Sequence, residues 1–238
     1  MNGPFAISLR QWRSPAVCFA SAVAGALAVP PDLVATPASA ALAALSAAAG
    51  LWLQRWSGLR GDGSGPSSSG ARMIAAARAF LSGALLGLVL LGAIRLVLEP
   101  SHPAAGARLA AAAAQPVWRR VAVIYVAAVG EEIAFRLVLV SALAGIGLRL
   151  ARGAPPTARR RVTSGAVALS AFAFAAAHLP AWHAGGHLDT GLVLLVLGLN
   201  GIGGAVFGAL FVRRGLAAAI GAHAGADCVL LLLGPLTR

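Results

Sequence analysis

Val129-Gly130-Glu131-Glu132-Ile133-Ala134-Phe135-Arg136 decides how this chain is read. The stretch lies near the middle of an apolar run from Val117 to Leu148. A charged side chain at bilayer depth costs about 3 kcal/mol on insertion scales, and more in simulations. Two adjacent carboxyls and a guanidinium in such a run imply a use, and partners supplied by other segments.

Composition agrees with a membrane setting. The 238 residues are 59% hydrophobic and 11% charged, with mean hydropathy +0.83; a soluble domain carries about a quarter charged residues. Apolar runs long enough to cross a hydrocarbon core of about 30 Å recur along the chain. They are rich in Ala, Leu and Gly and do not alternate apolar with polar, so they do not read as an outer-membrane barrel. The expectation is an all-α, polytopic transmembrane bundle of about seven spans, with the chemistry in its C-terminal half.

The spans are read at Ser14–Val29, Thr36–Leu53, Phe80–Leu98, Val117–Leu148, Val162–His178, Thr190–Val212 and Leu216–Leu233. The first is expected to be retained rather than cleaved. Residues 57–71 read as a flexible Gly/Ser linker, and Pro103–Gln115 as a short interfacial helix. This divides the chain into N-terminal helices, 1–116, and a core, 117–233. Cys18 and Cys228 both lie in apolar spans and read as small buried residues rather than a disulfide. Asp32, Asp62, Glu99 and Asp189 fall in turns or at span ends, as do His102, His183 and His187.

The net charge of +12 comes from 19 basic residues, all arginine. In a soluble protein that would suggest nucleic acid. Here the arginines sit mainly between apolar runs, so topology and anionic lipid explain them, and no nucleic-acid partner is expected. With the N-terminus inside, 13 arginines fall on the cytoplasmic side and five, at 95, 108, 119, 120 and 238, on or near the other. Arg119 and Arg120 are the exceptions to explain. Arginine without lysine suggests a high-GC genome, hence a bacterial inner membrane.

Few polar side chains remain at membrane depth: Glu131, Glu132, Arg136, His178, Asn200, His223 and Asp227. Glu132 and Arg136 are four apart, so they share a helix face and can pair. Glu131 is turned about 100° away. His223 and Asp227 repeat the four-residue spacing, as do Phe174 and His178. Three helices thus each bring a polar face to one interior. Gly204 with Gly208, and Gly221 with Gly225, are small pairs that allow close helix contact. Asn200 reads as an interhelical hydrogen bonder.

Glu131-Glu132-xxx-Arg136, Phe174-xxx-His178 and His223-xxx-Asp227, in this order on successive helices, resemble the CPBP intramembrane endopeptidases. These include the type II CAAX prenyl proteases and bacterial bacteriocin-processing and self-immunity proteins. The resemblance covers about residues 117–233. It implies hydrolysis of a peptide bond in a membrane-associated or lipidated peptide. Glu131 would be the general base, helped by His178. His223 and Asp227 would bind the carbonyl oxygen or the water, and Glu132 with Arg136 would be a structural ion pair. The family pattern allows Asn or Asp at the last position; an ionised Asp227 cannot donate to an oxyanion. Whether a metal takes part stays open: a metal-free scheme needs no ligation, and Glu131, His178, His223 and Asp227 are the set that would hold a zinc ion. Two other readings stay open: a small proton-coupled transporter, since buried Glu, His and Asp suit a proton relay, and a non-catalytic immunity or partner protein on the same fold.

Overall fold

Proline opens several of the helices and glycine closes others. The computed structural model describes residues 37–59, 69–183 and 188–237. The first expected span, the middle of the Gly/Ser linker, Cys18, Asp32, Asp62, His187 and Arg238 lie outside the described residues. Helix α1 is Pro37–Ser57. It stops at Gly58, whose φ of 72° suits a residue without a side chain, and Ser57 Oγ donates to the Gln54 carbonyl at 2.8 Å.

Helix α2 starts at Ser69 and runs through a π-helical turn, Ile94–Leu98, to Ser101. It begins inside the expected linker 57–71, because Ala71 to Ala77 favour a helix more than a linker. Helix α3 is Pro103–Ala113, the expected short helix. Helix α4 is Val117–Glu132, continued by a π-helical stretch, Ile133–Val140, and an α-helical end, Ser141–Leu150. Helix α5 is Pro156–Ala177, followed after His178 by a short turn of helix, Leu179–His183. Helix α6 is Thr190–Arg214. Gly215, at φ 91°, breaks the chain into α7, Leu216–Cys228, which ends in a π-helical turn, Val229–Leu233.

Among the described residues, five helices are long and apolar enough to cross a membrane: Ser69–Ser101, Val117–Leu150, Pro156–His183, Thr190–Arg214 and Leu216–Leu233. These are the third to seventh expected spans. The second corresponds to α1, which is not among the five.

Glycines set the helix contacts. A Cβ at Gly87 of α2 would come within 2.7 Å of the Ala226 carbonyl oxygen, and one at Gly83 or Gly225 would collide with backbone across the same α2–α7 seam. On α6, a Cβ at Gly208 would meet Val167 at 2.8 Å and one at Gly204 would meet the Ala171 Cα at 3.0 Å. Close approach of α5 to α6, and of α7 to α2, therefore depends on missing side chains. Outward-facing Leu81, Leu85, Leu169 and Phe172 are exposed, as suits contact with acyl chains. An apolar core of Val129, Ile133, Leu137, Val140, Phe211, Leu216 and Ala219 fills the centre.

The awkward arginines have protein partners. Arg120 Nη1 donates to the Leu231 carbonyl at 2.8 Å. Arg95 pairs with Glu99 at 2.7 Å and donates to the Gly234 carbonyl at 2.6 Å, so it does more than reach for the interface. Both hold the end of α7, where backbone carbonyls need donors. Asp189 caps α6 by accepting from the Leu192 N–H at 2.9 Å. That N–H first, and His102 second, hold the Asp189 carboxyl below its ordinary range.

Candidate active site

The site forms where α4, α5 and α7 meet. Its floor is the pair Glu132 and Arg136, both fully buried, with Arg136 Nε 3.2 Å from Glu132 Oε2. Charges so deeply buried persist only when paired and hydrogen-bonded. Arg136 lies in the π-helical stretch, donates from Nη2 to the Gly204 carbonyl at 3.3 Å, and stands 4.6 Å over the Phe174 ring. Phe135 and Phe207 flank it at about 6 Å. A π-helical stretch rotates the following residues relative to an α-helix and is frequent at functional sites. Here it follows Glu132 directly.

His223 is the hub. Its Nδ1 lies 3.0 Å from Glu132 Oε1; an ionised carboxylate only accepts, so Nδ1 carries the proton. The other ring nitrogen, Nε2, faces Asp227 Oδ2 at 3.5 Å and Glu131 Oε2 at 3.8 Å. Phe207 stacks on the imidazole, with ring centres 4.7 Å apart. Glu132 therefore does more than the expected ion pair: it bridges Arg136 and His223, fixing the tautomer and orientation of the imidazole. Glu131, turned to the next face, is half-buried where Glu132 is sealed.

His178 caps α5. Its Nδ1 donates to the Phe174 carbonyl at 2.8 Å, which leaves Nε2 as the ring's free acceptor. Its ring packs on Phe174 at 4.7 Å, and Phe174 packs on His223 at 5.9 Å. Phe174 is thus the wall joining the two histidines. Asn200 is not drawn in. Its Nδ2 donates to the Val196 carbonyl at 2.9 Å, four residues back on its own helix, so it does not bond across helices as expected. A short polar side chain within a helix finds that carbonyl first.

Among the described residues, no group of three or more His, Cys, Asp or Glu side chains is arranged to hold a metal ion. His178 and His223 each commit Nδ1 to a protein acceptor, which leaves Nε2 of each ring for a further partner.

Ser170 and Phe207 belong to the site although neither stands out in the sequence. Buried Ser170 donates to the Phe135 carbonyl at 2.6 Å, inside the π-helical stretch. The one available signal was periodicity: Ser170, Phe174 and His178 are successive fours on one face of α5.

Comparison with known families accords with this geometry. Residues 113–229 match a family model described as Rce1-like, type II CAAX prenyl endopeptidase Rce1-like. No curated protein and no solved structure matches the chain. The chain is a multi-pass membrane protein whose residues 113–229 are similar to the Rce1-like type II CAAX prenyl endopeptidases, a family of membrane peptidases.

Proposed function

We propose that the protein hydrolyses a peptide bond of a membrane-associated or lipidated peptide, with water activated by Glu131 and His178 as the nucleophile. The observation that carries this is the His223 hub, three carboxyls about one imidazole, of which Glu131 and Asp227 are partly exposed and Glu132 is sealed. The family match supports the same reaction class.

In this reading a water lies against the Glu131 carboxylate. Its oxygen attacks the substrate carbonyl as Glu131 takes one proton, while the free nitrogen of His178 holds the second hydrogen. The His223 Nε2–H, when protonated, donates to the developing oxyanion in a poorly hydrated pocket. Asp227 orients that ring and needs no proton of its own. The tetrahedral intermediate collapses when Glu131 returns its proton to the leaving amine. Glu132 keeps His223 in register, and Arg136 balances Glu132. The substrate is a peptide segment at the membrane; the bilayer is the other partner, and cytoplasmic placement of the N-terminus follows from the arginine bias.

The test is cleavage of quenched fluorescent peptides, one with a farnesylated CAAX end and one acylated at its N-terminus, by purified protein in micelles. Glu131→Gln and His178→Ala are expected to abolish cleavage while remaining folded. Activity equal to the parent in both variants would refute the assignment. Glu131-dependent proton or solute flux in liposomes, without cleavage, would support the carrier reading instead.

A further inference from the structure

Antiparallel packing brings two runs of arginine to one level. Val167 of α5 lies against Gly208 of α6, and Ala171 against Gly204. Each step toward the start of α5 therefore matches a step toward the end of α6. Six residues beyond the first contact, about 9 Å along either axis, stand Arg161 on α5 and Arg214 on α6. Arg160 and Arg213 are their neighbours, and all four are exposed. None of the four side chains bonds to a protein group among the described residues. Arg213 and Arg214 suit the last turn of α6, where a helix favours cations. The α5 arginines have no such reason. They follow a helix start with no acid in its first turn and no side-chain cap, the end where cations are disfavoured. No acid occurs in residues 133–188 or 190–226, so neither helix supplies a counter-charge to the cluster.

An apolar path leads from the cluster into the bilayer. On α5 the flank carrying Ser170 is buried, while the other shows Leu169 and Phe172, 60% and 63% exposed. On α6 the flank carrying Phe207 is buried, while the other shows Ile202, 53% exposed, and Ala205. The exposed flanks thus share one side of the pair, away from the core. From Arg161 to Phe172 is about 16 Å of helix, roughly half of a 30 Å hydrocarbon core. That is the depth of one leaflet.

We propose that Arg160, Arg161, Arg213 and Arg214 hold the headgroup of one anionic phospholipid, whose acyl chains lie along the exposed flanks of α5 and α6. The guanidinium fork matches a phosphate, and the uncompensated charge selects an acidic headgroup over a zwitterionic one. This is a single site on one face of the bundle, distinct from a general attraction of arginine-rich loops to the membrane surface. It lies apart from the Glu131–His223 cluster and does not depend on the protease reading.

Native mass spectrometry of the purified full chain in neutral detergent measures the bound lipid. Phosphatidylglycerol should be retained at least about tenfold more tightly than phosphatidylcholine with the same acyl chains. Arg160→Gln with Arg161→Gln, or Arg213→Gln with Arg214→Gln, should remove most of that preference. Arg55→Gln with Arg78→Gln, which loses the same charge from α1 and α2, should keep it. Equal retention of the two lipids by the parent, or an unchanged preference in both cluster variants, overturns the proposal. Glycerol 1-phosphate at the lipid's concentration should not displace it; displacement would show a site for a free phosphate ester and also overturns it. Phosphatidylglycerol with a photoreactive acyl chain needs no variant and should cross-link to residues 165–172 or 198–205. Cross-links spread evenly over α2 and α5 would contradict the site.

Discussion

Arg136→Met is the perturbation whose cost the structure sets most clearly. The guanidinium is fully buried, 3.2 Å from the equally buried Glu132 carboxylate, and bonded to the Gly204 carbonyl. Methionine fills much of the same apolar volume among Phe135, Phe174 and Phe207 but leaves Glu132 charged and opposed only by His223. Breaking a buried pair in this way costs about 3–5 kcal/mol, a factor of roughly 10² or more in the folding equilibrium. Glu132→Gln alone leaves the guanidinium unpaired and should cost a similar amount. The double variant removes both charges, and such neutral replacements are often tolerated. Its destabilisation should fall well short of the sum of the singles, with a coupling of about 2 kcal/mol or more. Reversible unfolding in mixed micelles measures all four corners of the cycle. If Arg136→Met costs less than about 1 kcal/mol, or the singles simply add, the pair is not the foundation of the site and the reasoning fails.

Other expectations follow from single contacts. Ser170→Ala removes the hydroxyl that donates to the Phe135 carbonyl and should cost about 0.5–1.5 kcal/mol; Ser170→Thr, which keeps the hydroxyl, should recover most of it in the same unfolding assay. Gly87→Ala should lose about 1–3 kcal/mol to overpacking against Ala226, whereas Gly198→Ala, with open space around its Cβ, should be neutral or gain up to about 1 kcal/mol from helix propensity. The lowered pKa of Asp189 means its stabilising effect is present above the unfolded value near 3.9 and is lost as pH falls through the lower folded value. Asp189→Asn keeps a capping side chain, so its stability difference from the parent should shrink as the solution is acidified through that window; a difference constant with pH would contradict the contact.

The sequence exposed the fold wherever local chemistry was decisive. Apolar runs, prolines and Gly215 mark the helices because membrane length and backbone conformation are local properties. The four-residue spacings placed Glu132 with Arg136, and His223 with Asp227, because a helix brings such residues together. The π-helical stretch after Glu132 was not legible: Ile133–Val140 is apolar like its neighbours, and its geometry is set by packing. Ser170 looked like one small residue among alanines, since its partner is a carbonyl 35 positions away. The second contact of Glu132 escaped notice for the same reason, as His223 lies 91 positions further on. Gly83 and Gly87 pack α2 against α7, yet nothing about α2 alone says which helix it will meet.

The central claim is that Glu131 activates water in a pocket shared by α4, α5 and α7. Single-turnover cleavage of the farnesylated peptide by the parent and by Glu131→Gln tests it most directly. A positioned general base contributes about 10²–10⁴-fold, so the variant should be slower by at least that lower factor with peptide binding unchanged. An undiminished rate constant in the variant would contradict the account.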